Sequence, residues 1–195
     1  MLALAIALSF VKLWEMPLGG SVTLVSMLPI FLISIKYGLG TGLGTAFVYS
    51  LFQLLQAVMQ GDVFIYCETW VTLVICVLFD YLLPFTLLGL AGICKNYHLF
   101  RVKKDGSVRQ VRDFGLNLGI ALAIFFRFVC HFVTGVFIWG QWAPEGMGKF
   151  GYSLLDNGGY LSIELILTVA VSLLLLSRKE MRKILGLKKI EVKID

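Results

Sequence analysis

Residues 113–140 read DFGLNLGIALAIFFRFVCHFVTGVFIWG. Between Asp113 and Gly140 the only other charged side chain is Arg127, with His131 one helical turn beyond it. A stretch this long and apolar exceeds the roughly 20 residues needed to cross a bilayer as a helix. The rest of the chain has the same character. Of 195 residues, 58% are hydrophobic and 15% charged, and the mean hydropathy is +0.87. A soluble domain carries about 25% charged residues, so lipid has to be part of this protein's solvent.

Working outward, apolar runs separated by polar punctuation divide the chain into six segments, at 1–14, 22–37, 40–60, 70–94, 113–140 and 158–177. The expectation is an all-α, polytopic membrane domain of six transmembrane helices. The first run, MLALAIALSFVKLW, lacks the basic start and small-residue cleavage site of a signal peptide and reads as a membrane helix. Pro29 in the second predicts a kink or an incomplete crossing. Gly38, Gly40, Gly42 and Gly44 suit close helix packing.

Basic residues orient these segments. Lys95, Arg101, Lys103, Lys104, Arg109 and Arg112 fall in the loop 95–112. Arg178, Lys179, Arg182, Lys183, Lys188, Lys189 and Lys193 fall in the tail 178–195. The first, third and fifth loops instead hold Glu15, Asp62, Glu68, Glu145 and Asp156, with Lys149 the only cation. The positive-inside rule then places both termini and the 95–112 loop in the cytoplasm of a multi-pass protein of the cell membrane. The net charge of +5 is explained by this topology. No nucleic-acid motif accompanies it. The tail RKEMRKILGLKKIEVK suits an interfacial helix on anionic lipid, or a cytoplasmic partner.

Other classes are excluded by what the chain lacks. Cys67, Cys76, Cys94 and Cys130 have no CxxC spacing, and two histidines do not make a multi-His metal centre. There is no G-x-S-x-G, no H-E-x-x-H and no GxxxxGK[ST] phosphate loop. Energy for any transport therefore comes from elsewhere.

Chemistry is expected where polar residues sit inside apolar runs, since a charge near the bilayer centre costs several kcal/mol. Asp80, Arg127, His131 and Glu164 meet that description. Arg127, His131, Gly135 and Trp139 follow at i, i+4 steps, so the last three form a slowly winding stripe on one helix face. The stripe offers a hydrogen-bonding ring, a gap and an aromatic plate, and it equally suits a packing groove for a neighbouring helix. Beyond it, GQWAPEGMGKFGYSLLDNGGY is a loop whose Trp142, Tyr152, Asn157 and Tyr160 are either ligand contacts or an aromatic belt. Asp80-Tyr81 would suit an organic cation facing aromatic rings; an ion pair of Asp80 with Arg127 is the alternative. Glu164 serves the same pocket or pairs with Arg127.

The stretches FRFVCHFVTGVFIWGQWAPEG, YSLLDNGGY, MPLGGSVTLVSMLPI and LFDYLLPFTLLGLAGI resemble the thiamine-specific S-components of energy-coupling factor (ECF) vitamin transporters, over about residues 1–177. That resemblance implies a six-helix protein that binds thiamine near the outer surface, without a cofactor and without enzymatic activity. It implies ligand contacts at Asp80, Tyr81, His131, Gly135, Trp139, Tyr152 and Asn157, with Trp70 as a further aromatic, and the loop Glu15 to Ser21 as a lid. It also implies a transmembrane coupling subunit and two ABC-type ATPases as partners. Ala3 and Ala7 carry the AxxxA spacing that docks on that subunit. The competing readings are an S-component for a flavin or a pyridoxal precursor, an intramembrane enzyme using His131 and Asp80, and a structural subunit without a ligand. The enzyme reading needs a nucleophile, and Cys130 and Thr134 flank the histidine while facing other directions.

Overall fold

In a computed structural model, the chain is described at residues 1–16, 20–61, 64–102, 108–111 and 113–187. Its elements are α1 (Leu2–Ser9), β1 (Lys12–Glu15), β2 (Ser21–Thr23), α2 (Leu28–Tyr37), α3 (Leu39–Gln60), α4 (Trp70–Gly92), β3 (Leu99–Val102), β4 (Val108–Val111), α5 (Phe114–Phe137), α6 (Lys149–Ser177) and α7 (Lys179–Ile184). Among the described residues four helices are long and apolar enough to cross a membrane: α3, α4, α5 and α6.

The first two expected spans are shorter than hydropathy suggests. α1 ends at Ser9, and Lys12–Glu15 pairs antiparallel with Ser21–Thr23 as a hairpin. Short apolar runs look alike to hydropathy whether they end up helix or strand, so the run 1–14 hid this change. α2 has 10 residues, about 15 Å of helix, half a bilayer core. Leu28 through Ile35 are all buried, as expected for a helix apolar on every side. α2 thus forms a central plug, and Pro29 sits in its first turn, where no backbone donor is lost, rather than at a kink.

The outer helices reverse the pattern of a soluble protein. Phe47, Leu51, Phe52 and Leu55 of α3 face outward, while Tyr49 and Ser50 are buried. On α6 the inward face is the polar one, carrying Ser153, Asn157, Glu164, Thr168 and Ser172. This arrangement fits lipid outside and hydrogen-bonding groups inside. Of the four glycines at the start of α3, only Gly42 lies in tight packing, where an added Cβ would meet Ser34 and the Gly89 carbonyl.

α4 is not a regular helix. Val77–Leu82 is a π-helical turn, with the Leu83 N–H bonded to the Leu78 carbonyl five residues back. Pro84 follows at once, and a proline can neither donate to the carbonyl four residues back nor tolerate its approach. The widened turn relieves that conflict and sits where Asp80 and Tyr81 are displayed.

Two further boundaries differ from expectation. α6 starts at Lys149, so Tyr152 and Asn157 belong to a helix rather than a loop. Gly151, Gly158 and Gly159 fall inside it, because packing and an apolar surround outweigh local propensity. The 95–112 loop contains the β3–β4 hairpin; Lys103, Lys104 and Arg112 in it, and Asp62, Lys188, Lys189 and Lys193 elsewhere, lie outside the described residues. The tail begins with the six-residue α7, whose Arg182 pairs with Asp113 at 2.6 Å and ties it to the start of α5.

Candidate ligand cavity

The ends of α3, α5 and the 64–66 turn, the start of α6, the π turn of α4 and the β1–β2 hairpin surround one cavity of about 410 Å³. It lies at the end of the bundle formed by the acidic loops. Among the described residues its wall carries three carboxylates (Glu15, Asp80, Asp156) against two cations (Lys12, Arg127), an excess of one negative group.

The floor is built around Asp80, which is 9% exposed. Its Oδ1 accepts from the Thr134 hydroxyl and faces His131 Nδ1 at 3.1 Å, and its Oδ2 accepts from Trp139 Nε1 at 3.0 Å. Arg127 Nε donates to His131 Nε2 at 3.3 Å. An arginine has no acceptor, so Nε2 must be the accepting nitrogen and the ring proton sits on Nδ1, donated to Asp80. Arg127 forms no ion pair with Asp80 or Glu164. Instead it stacks at 4.4 Å over Phe85, and its Nη1 meets Met27 Sδ at 3.0 Å.

Above this floor stands a cluster of three rings, of which Trp139 and Tyr66 line the cavity and Trp142 packs against them. Trp139 lies 6.2 Å from Tyr66 and 5.9 Å from Trp142, and Tyr66 and Trp142 meet edge to face at 5.1 Å. Trp139 opens a short 3-10 turn after α5, so its direction is set by that turn and the indole bond to Asp80, not by the helix stripe alone. Asn157 Nδ2 donates to the His131 carbonyl at 3.2 Å and to Ser153 Oγ at 3.3 Å. Its Oδ1, and the phenols of Tyr66, Tyr81, Tyr152 and Tyr160, form no hydrogen bond with a described residue, yet all five residues line the cavity. Asp80 and Arg127 are thus held by the protein, while the phenols, one amide oxygen and the Asp156 carboxylate are left to face a guest.

Asp80, Tyr81, His131, Trp139, Tyr152 and Asn157 therefore come together on one cavity, across four separate stretches of chain. Three other expected residues do not. Gly135 faces α6: an added Cβ would run into Ser153 Oγ and Asn157 Nδ2. The packing-groove reading therefore holds at this position. Gly135→Ala should destabilise the protein by about 1–3 kcal/mol through overpacking. A thermal-shift measurement reads this, and an unchanged melting temperature would reject it. Trp70 is 83% exposed at the start of α4, with its ring directed away from the bundle. Trp70→Ala should therefore leave ligand affinity within about twofold, as expected of an outer position that touches no guest; a tenfold loss by calorimetry would return it to the pocket. Glu164 is buried but does not line the cavity. Thr134, read as facing elsewhere, shares the Asp80 carboxylate with His131. Its hydroxyl does not bond the histidine side chain, so a nucleophile–base pair is not formed.

Several lining residues were not singled out by sequence: Lys12, Gln53, Gln56, Gln60, Tyr66 and Phe85. The glutamines did leave a signal, since i, i+3, i+7 is one helix face. Of the loop 15–21, residues 17–19 lie outside the described residues. The described part closes with Met16 N–H on the Gly20 carbonyl at 2.6 Å, and Gly20 packs against the Tyr160 ring where no Cβ would fit.

The comparisons with known proteins agree with one another. Residues 1–184 match the family described as thiamine transporter protein. The thiamine transporter ThiT of Bacillus subtilis is 30% identical over 165 residues, 83% of this chain and 77% of the relative. The thiamine transporter ThiT of Lacticaseibacillus paracasei is 28% identical over 146 residues, 74% of this chain and 68% of the relative. A solved structure of ThiT from Listeria monocytogenes superposes with a TM-score of 0.62, covering 92% of this chain and 91% of that one at 19% identity, and so supports the fold. These relatives are transporters rather than enzymes, and the helices are those of a membrane protein. By the match along nearly its whole length, this chain belongs to the thiamine transporter protein family.

Proposed function

We propose that this chain is the substrate-binding subunit of an ECF-type thiamine uptake system and that thiamine occupies the cavity between the β1–β2 hairpin and Asp80. The observation that carries the reading is the Asp80–His131–Trp139 wall, in which a buried carboxylate fixes an indole plate beside it. Thiamine joins an aminopyrimidine to a permanently cationic thiazolium. The rings of Trp139 and Tyr66, against which Trp142 packs, suit stacking and cation–π attraction, which strengthens away from water. The excess negative charge of the wall favours the cation. Tyr81, Tyr152 and Asn157 offer the hydrogen bonds that an aminopyrimidine needs, and His131 presents its ring while both nitrogens hold their protein partners. No cofactor enters this scheme.

In the same reading the cavity opens to the outside, and both termini and the basic 95–112 loop face the cytoplasm. α1 and α2 complete a six-segment membrane domain with the four long helices. By its likeness to the ECF vitamin transporters, transport in this reading uses a transmembrane coupling subunit and two ABC-type ATPases, and the lack of a phosphate-binding loop in the sequence is consistent with that division of labour. Titration calorimetry of the purified protein with thiamine, riboflavin and pyridoxine tests the ligand. Saturable one-site binding of thiamine alone is expected, and saturable binding of either other vitamin in its place would overturn the assignment.

A further inference from the structure

We propose that Glu164 is a positioning residue that latches the foot of the β1–β2 hairpin onto α6, and thereby sets how long a bound ligand stays in the cavity. The inference rests on the reading of that cavity as the thiamine site.

Glu164 is 1% exposed on the inward face of α6. Its Oε1 accepts the Thr23 backbone N–H at 2.5 Å and the Thr23 hydroxyl at 2.7 Å. Thr23 ends β2, so this carboxylate holds the hairpin where it rejoins the bundle. Because the single hydroxyl proton of Thr23 points to Glu164, its oxygen must accept from Ser26 Oγ, 2.7 Å away. Ser26 Oγ in turn accepts from Tyr49 at 3.2 Å, and Tyr49 accepts from Gln53 Nε2 at 3.0 Å. Every donor in the chain Gln53, Tyr49, Ser26, Thr23 points the same way and ends on Glu164. Such a run of buried hydrogen bonds polarises each member. Gln53, Ser26 and Thr23 line the cavity, while Glu164 stands behind them.

A second observation lies inside this chain. Val25, between Thr23 and Ser26, has φ of 51°. The left-handed region is strongly disfavoured for a β-branched residue and persists only where the surroundings impose it. The Thr23–Ser26 bond spans the strained residue, and Glu164 fixes that bond to α6. One turn earlier on α6, Tyr160 receives Gly20 of the same hairpin. The hairpin therefore docks on consecutive turns of one helix face, first by ring contact and then by a carboxylate. Release of Glu164 frees the strained turn to relax and the hairpin to lift.

The test is the thiamine dissociation rate, read by stopped-flow fluorescence during a chase, in wild type, Glu164→Ala, Glu164→Gln and Thr23→Val. Loss of two hydrogen bonds to a buried acceptor is expected to speed dissociation about tenfold in Glu164→Ala, with the association rate changed less than about twofold. Glu164→Gln keeps an acceptor oxygen for the Thr23 N–H and should recover most of the wild-type rate, whereas Thr23→Val should fall between. A second readout is trypsin cleavage after Lys12 on β1, located by peptide mass: without ligand it should rise in Glu164→Ala and stay low in Glu164→Gln. An unchanged dissociation rate in Glu164→Ala overturns the latch. So do equal losses in the alanine and glutamine variants that are larger for thiamine than for an uncharged analogue, since Glu164 would then act as the ligand's counter-charge. Absence of thiamine binding by the wild type would instead overturn the ligand assignment itself.

Discussion

Trp139→Ala is expected to lower thiamine affinity about a hundredfold or more while the protein stays folded. The indole supplies the broadest plate of the wall, with Tyr66 and Trp142 set edgewise or tilted beside it. Stacking contributes about 0.5–1.5 kcal/mol and a desolvated cation–π contact about 2 kcal/mol, which together reach about two powers of ten in affinity. The substitution also strips Asp80 Oδ2 of its donor, which adds an unpaired buried acceptor to the loss. Trp139→Phe retains a ring without the N–H and should fall between the two. Calorimetry reads all three proteins, and an alanine variant within about threefold of wild type would remove Trp139 from the site.

Asp80→Asn should have the second largest effect, and the geometry gives it a distinct signature. Both carboxylate oxygens are committed, one to Thr134 and His131, the other to Trp139. An amide in this position replaces one acceptor with a donor, so it must present an N–H to a partner that also donates. The wall is disturbed for every ligand, and the attraction for a cation is lost in addition. Thiamine affinity should fall about 10- to 100-fold, a loss of about 1.4–2.7 kcal/mol of the size expected for hydrogen bonds to a charged group, and that of an uncharged pyrimidine analogue by distinctly less. Equal losses for both ligands would reject a role for the charge and leave Asp80 as a scaffold for His131 and Trp139.

Glu164 and Gly135 illustrate a general feature of this helical bundle. As a vacant and a polar position within apolar runs, Gly135 suited a ligand platform or a packing groove, and Glu164 suited the pocket or a pair with Arg127. Inside a membrane protein the same features also serve helix packing and internal hydrogen bonding, because lipid gives no hydrophobic drive for helices to associate. Gly135 lets α6 approach, and Glu164 holds a strand end. Trp70 shows the opposite error: an aromatic at a helix start, given a role by resemblance, whose backbone phase turns it outward.

Much could be read directly from the residues. Composition and run lengths set the membrane class and the four long helices, since burying 20 apolar residues in lipid leaves little alternative to a helix. The i, i+4 relation of Arg127 to His131 was equally legible, because neighbours on one helix turn are fixed by the helix itself, and the Arg127 Nε to His131 Nε2 bond is its direct result. Local periodicity could not reveal which faces meet. The bond from Asp80 to His131 joins residues 51 apart, and that from Glu164 to Thr23 joins residues 141 apart; both depend on how α4, α5, α6 and the hairpin stack around the buried plug α2. The sequence alone thus determined what kind of solvent this protein lives in and which polar side chains interrupt its apolar runs. Only the tertiary structure decided that Asp80, His131 and Trp139 share one wall while Gly135 and Glu164 stand outside it, because spacing fixes a residue's direction on its own helix and packing alone fixes what lies opposite.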